Sequence, residues 1–88
     1  MEVEVKILNR LGLHARPAAL IAQCAGHFDS EVKLARDNGS VADGKSILSL
    51  LMLGASCGTV LTLATTGSDE AEASAAIAGL FEAKFDEE

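Results

Sequence analysis

The apolar residues of this chain change period several times within 88 residues, and that switching restricts the fold more than any other feature. Val3, Val5 and Ile7 alternate with Glu2, Glu4 and Lys6, which predicts a half-buried strand over residues 2–8. Ala18, Ile21, Ala22 and Ala25 then recur at helical spacing, predicting a helix over 15–26 that stops at Gly26. Pro17 falls in its first turn, where a missing N–H costs nothing. Val32 and Leu34 alternate with Glu31 and Lys33, Asp37-Asn38-Gly39 signals a hairpin, and a short strand is expected at 40–43. Residues 46–53 read as a short helix, apolar nearly all round and ended by Gly54, and the β-branched run from Thr59 to Thr65 reads as a fourth strand. Asp69, with Glu72 three residues on, marks the start of a last helix over about 69–85, with Ala73, Ala76, Ile77, Leu80 and Phe81 as its inner stripe. The acidic tail Asp86-Glu87-Glu88 reads as frayed. The order β-α-β-β-α-β-α implies an α+β fold in which an antiparallel sheet carries its helices on one face, as a single domain over 1–88.

Composition removes several functions. Seven Lys and Arg against 13 Asp and Glu leave a net charge of −6, the wrong sign for general nucleic-acid binding. Tyr and Trp are absent and Phe numbers three, so platforms for stacking bases or sugars are missing. No apolar stretch reaches the roughly 18–20 residues of a membrane span, and the acidic start Met1-Glu2-Val3-Glu4 lacks the basic opening of a secretion signal. Cys24 and Cys57 are too few for a disulfide framework and read as buried thiols of a cytoplasmic protein. With His14 and His27 they show no metal-ligand spacing, so neither a metal nor a cofactor is expected. His27 reads as a surface residue, and Ser49, Ser56 and Ser68 lack a partner base for a hydrolase triad.

Residues 39–46, Gly39-Ser40-Val41-Ala42-Asp43-Gly44-Lys45-Ser46, satisfy the phosphate-loop pattern G-x4-G-K-S letter for letter. The context rejects it. Such a loop follows a parallel strand, whereas this one overlaps a hairpin signal, and no second strand supplies a magnesium-binding Asp.

The chemistry concentrates in Gly12-Leu13-His14-Ala15-Arg16-Pro17. His14 falls at the expected helix N-cap, where unpaired N–H groups and the helix dipole favour an anion and disfavour imidazolium. A neutral, nucleophilic ring, an anion hole and the Arg16 guanidinium within four residues suit a covalent phosphohistidine, with Pro17 stiffening the turn. On spacing alone, His14 could equally be a plain cap and Arg16 a solvated charge.

The run from Gly12 to Ala19, Gly-Leu-His-Ala-Arg-Pro-Ala-Ala, resembles the active-site signature of the HPr family, the histidine-containing phosphocarriers of the bacterial phosphotransferase system. Residues Gly44-Lys45-Ser46-Ile47 through Leu53-Gly54 resemble that family's regulatory-serine segment, and the likeness covers essentially the whole chain. It implies an open-faced β-sandwich, a four-stranded antiparallel sheet with three helices on one face. It implies that His14 accepts phosphate on Nδ1 from phospho-enzyme I and passes it to IIA domains of sugar permeases, with Arg16 as phosphate clamp. Such a protein is a phosphorylated intermediate, not an independent catalyst. Ser46 would be the regulatory site, met by a serine kinase or phosphorylase where a lineage has one.

Ser46 could instead only cap the second helix. That helix is the candidate docking element: with Ile47, Leu50 and Leu51 inward, Leu48 and Met52 are left exposed, although in so small a domain all could be core. Ile47, Leu48, Met52, Lys45 and the small Ala15 and Ala19 make the candidate partner surface, and nothing requires more than a monomer. Unlike many relatives, the first helix carries no lysine, so the local positive field falls to Arg10, Arg16 and Lys45. The acidic, Leu-Phe-rich ending resembles the nitrogen-related branch of the family more than the sugar branch. The alternative function is a non-carrier regulatory module of that branch, signalling through Ser46 and the helix 46–53.

Overall fold

The computed structural model describes residues 1–87; the fraying expected of Glu88 lies outside them. Strands β1 (Glu2–Lys6), β2 (Glu31–Arg36), β3 (Val41–Asp43) and β4 (Val60–Thr66) form one antiparallel sheet in the order β1-β4-β2-β3. Helices α1 (Ala15–Ala25), α2 (Ile47–Leu51) and α3 (Glu70–Glu82) complete the α+β open-faced sandwich. The register carries the core across the sheet. Leu63 of β4 pairs with Val3 on one side and Leu34 on the other, and Leu34 pairs in turn with Ala42. Because side chains alternate faces, these residues and their i±2 neighbours Val5, Val32 and Leu61 turn together towards the helices. Ala18, Ile21 and Ala25 of α1 and Ile77 and Phe81 of α3 close on them from above.

Several boundaries differ from the sequence expectation. The first strand stops at Lys6, although Ile7 stays buried and its backbone is still tied, through bonds with Thr59 and Gly58. The second helix has only five residues, and Met52, not Gly54, caps it. Five residues make barely more than one turn, too few to enclose a face of their own. Only Leu50 is fully buried there; Ile47 and Leu51, expected inward, are 44% and 37% exposed. In α3 the inner face is Ala73, Ser74, Ile77 and Phe81, with Ala76 exposed and Leu80 half-buried. Cys24 is half-buried and Cys57 exposed, so Cys57 is not the buried thiol expected.

Asp69 is the N-cap residue of α3, but its side chain makes no cap bond. It accepts the backbone N–H groups of Asp29 and Ser30, each at 2.9 Å, and the Ser30 hydroxyl. These bonds, the Ser30 hydroxyl first, hold its carboxyl below the usual range despite some desolvation. The carboxylate thus ties the α1–β2 loop to the start of α3.

The last helix ends at Glu82, three residues short of expectation, and beyond it the chain turns the other way. Lys84, Phe85 and Asp86 all have φ between 54° and 59°, left-handed backbone that disfavours side chains with a Cβ. The turn is anchored by Phe85, whose ring is 1% exposed and meets Phe81 edge-on at 5.0 Å. The reversal brings Glu87 back over the N-terminal end of α1, so this residue is docked, not frayed.

Candidate functional site

The loop leading into α1 is built to hold His14 at the helix start. Gly12 has φ of +74°, and a Cβ there would stand 2.9 Å from the Ala55 carbonyl oxygen and 3.0 Å from Ser56 Cα. Only glycine satisfies both the turn and the close approach. The next residue, Leu13, is buried and donates its N–H to the Ala55 carbonyl at 3.0 Å. His14 then has extended backbone (φ −91°, ψ −168°) and occupies the N-cap, and its carbonyl accepts the Ala18 N–H.

The His14 ring makes no capping bond to the helix and is 36% exposed. The first turn leaves the N–H groups of Ala15 and Arg16 without intrahelical acceptors, and Pro17, buried beneath them, has no N–H to offer. Partial positive charge therefore collects beside the ring. Arg16, half exposed, extends its guanidinium over the same region. Its Nη1 donates to the Phe85 carbonyl at 2.6 Å and to Glu87 Oε2 at 3.2 Å.

An anion already sits here. Glu87 Oε2 lies 2.9 Å from His14 Nε2, and Oε1 accepts the Asn9 side-chain amide at 3.0 Å. Asn9 is fully buried, and the same Nδ2 also donates to the Gly12 carbonyl at 2.7 Å. Desolvation pushes the Glu87 carboxyl upward. The hydrogen bonds from Asn9, His14 and Arg16 and the charge of His14 outweigh it, so the group stays below the usual carboxylate range. Neither Asn9 nor Glu87 stood out in the sequence. Asn9 lies five residues before His14 in an irregular loop, and Glu87 lies 73 residues beyond it in an acidic run.

The remaining expected residues lie around this centre or away from it. Ala15 is exposed and Ala19 half-buried on the outer side of α1, leaving His14 approachable. Leu48 and Met52 are 69% and 77% exposed, and with Ile47 they form an apolar patch. The segment after α2 is tied to the histidine loop, the Ala55 carbonyl accepting the Leu13 N–H. Ser46 is the α2 N-cap, its Oγ accepting the Ser49 N–H at 3.1 Å. Lys45 does not join the histidine site: its ammonium donates to the Phe28 carbonyl at 2.8 Å, past the C-terminal end of α1. That end is about 16 Å of helix from His14. The phosphate-loop pattern is split between the β2–β3 hairpin, β3 and the α2 cap, in an antiparallel sheet, as its context implied.

A model of the family described as "PTS HPr component phosphorylation site" matches residues 1–83. Phosphocarrier protein HPr of Treponema pallidum is 50% identical over 84 residues, spanning 96% of this chain and 94% of that protein. Phosphocarrier protein NPr of Escherichia coli K12 is 43% identical over 84 residues, spanning 96% and 93%. The crystal structure of HPr-C-His from Thermoanaerobacter tengcongensis superposes with a TM-score of 0.93 at 45% identity, covering 100% of this chain and 98% of that one.

Proposed function

Since the chain belongs to the HPr family of phosphocarrier proteins of the phosphotransferase system, we propose that His14 is its phosphoryl-carrying residue and Arg16 the phosphate clamp. The phosphoryl group comes from phospho-enzyme I and leaves to IIA domains in the cytoplasm. The supporting observation is the carboxylate of Glu87, an anion already seated between the His14 ring and the Arg16 guanidinium at the start of α1. A phosphoryl group on His14 has the Arg16 guanidinium and the N–H groups of the first turn of α1 for donors. Transfer needs little beyond positioning and charge, because an in-line phosphoryl displacement leaves the protein little covalent chemistry to do. Among the described residues no helix is long and apolar enough to cross a membrane.

Docking falls to Leu48, Met52 and Ile47, with Ala15 and Ala19 offering clearance over the ring and Lys45 marking the far rim. Pro17 stiffens the turn that presents His14. Ser46 is the regulatory position. A phosphate there adds about −1.5 to −2 charges at a helix start, which the fold tolerates, and acts by repelling an acidic partner. The protein is thus a phosphorylated intermediate without turnover of its own.

Intact mass spectrometry after incubation with enzyme I and phosphoenolpyruvate tests this reading. One acid-labile phosphoryl group is expected on the natural chain and none on His14→Ala, whose circular dichroism should be unchanged. Label retained by His14→Ala would move the site elsewhere.

A further inference from the structure

Leu11 is a large apolar residue left in solvent beside the histidine. It is 69% exposed, as open as Leu48 of the α2 patch, and lies three residues before His14. Single exposed apolar residues are common on protein surfaces; place and rigidity set this one apart. It stands at the corner of a turn over residues 9–12, closed by the Gly12 N–H on the Asn9 carbonyl at 3.1 Å. The Asn9 side-chain amide donates back to the Gly12 carbonyl at 2.7 Å, and Asn9 is fully buried. On the other flank Leu13 is buried, with its N–H on the Ala55 carbonyl, and the His14 N–H donates to the Gly12 carbonyl at 3.0 Å. With Asn9, Gly12 and Leu13 all held inside, Leu11 projects outward from a fixed backbone beside the ring.

We infer that Leu11 is a specificity-determining contact for phosphoryl transfer, the knob on which an apolar recess of the phosphoryl-donating protein closes as it covers His14. The inference rests on the carrier reading of His14. Three trans peptide units keep the Leu11 Cα within about 11 Å of the His14 Cα. A footprint of about 800 Å² per partner, taken as round, reaches about 16 Å from its centre. A donor seated over the ring therefore also covers Leu11. An isobutyl group makes no hydrogen bond. A polar donor surface pressed on it loses water and gains no partner, whereas an apolar recess gains the burial. Both effects discriminate: the recess is favoured and a polar surface is refused. The turn fixes the bound shape in advance, so docking costs little conformational freedom. Leu48 and Met52 belong to α2, so Leu11 extends the apolar contact to a separate segment of the chain.

Leu11→Ser in the full chain tests the inference, with Leu11→Met as the conservative variant. Both should unfold at the urea midpoint of the natural chain, because a side chain this exposed packs on little. In Leu11→Ser the KM for phospho-enzyme I should rise about tenfold with kcat unchanged, and Leu11→Met should restore the natural KM. Calorimetric titration of enzyme I with the same changes made in His14→Ala reads docking without transfer, and the Kd should rise by the same factor. An unchanged KM in Leu11→Ser, a loss carried by kcat, a KM raised as far by Leu11→Met, or a lowered urea midpoint would overturn the role. If the natural chain takes up no phosphoryl yet Leu11→Ser still weakens docking, the carrier reading fails and the contact stands. Docking untouched by Leu11→Ser removes the contact whether or not His14 carries phosphoryl.

Discussion

Replacing Phe85 by alanine should release the C-terminal turn and, with it, the carboxylate at the site. Lys84, Phe85 and Asp86 hold left-handed backbone, at a cost of about 1–2 kcal/mol each, or about 3–6 kcal/mol for the turn. Against this stands the Phe85 ring, whose burial contributes about 1.5–3 kcal/mol. Its edge-on contact with Phe81 adds about 0.5–1.5 kcal/mol. The Arg16 bond to the Phe85 carbonyl and the Glu87 contacts supply the remainder. The two sides nearly balance, so the turn cannot survive loss of the ring. The two ring contributions total about 2–4.5 kcal/mol, and release of the turn returns part of its strain, so Phe85→Ala should cost about 1–2 kcal/mol in urea unfolding. In a domain of this size that is a fall in melting temperature of roughly 5–15 °C. Hydrogen exchange should show the amides of residues 84–87 losing protection, and His14 should lose its Glu87 partner. A loss below about 0.5 kcal/mol, the range of ordinary surface substitutions, with residues 84–87 still protected, would refute the reasoning.

Gly12→Ala should destabilise by about 2–4 kcal/mol, because it adds positive-φ strain to a backbone collision at Ala55 and Ser56; a chemical melt unchanged from the natural chain would contradict that. Asp69 and Glu87 both have lowered folded-state pKa values, so the unfolded chain binds more protons in acid. Their stabilisation is complete above the ordinary carboxylate range near pH 4 and is lost as pH falls through the folded values. The urea midpoint should therefore drop below about pH 4, and Asp69→Asn should be less stable at neutral pH with a shallower acid decline. An acid limb identical in Asp69→Asn would remove Asp69 from the cause. The double change Leu48→Ala, Met52→Ala should raise the KM for enzyme I about tenfold, with stability within about 0.5 kcal/mol of the natural chain. An unchanged KM would place the docking surface elsewhere.

The sheet and α1 were legible because their signals are local and periodic. Val3, Val5, Val32, Leu34, Leu61 and Leu63 alternate, and Ala18, Ile21 and Ala25 keep helical spacing, so each pattern names its own buried face. His14 and Arg16 were legible for a similar reason, since a helix start assigns chemistry to its cap. Where long-range contacts decide, local pattern is silent. Asp69 has the spacing of a capping residue, yet its carboxylate finds better donors 39 and 40 residues away at Ser30 and Asp29. The five residues of α2 span too little arc to say which side is inside, and Ile47 and Leu51 stay partly in solvent. Glu87 reaches His14 only through three consecutive left-handed residues, a conformation that composition argues against. Asn9 gives no sign of burial until Glu87 and the Gly12 carbonyl are seen around it.

The most direct measurement is phosphorus–nitrogen correlation NMR on the freshly phosphorylated chain, which identifies the atom that bears the phosphoryl group. A single signal on Nδ1 of His14 is expected, with Nε2 still protonated towards Glu87. Phosphorus on Nε2, on His27 or on any serine under these conditions would contradict it, because each would place the transfer away from the start of α1, where the N–H groups of Ala15 and Arg16 converge.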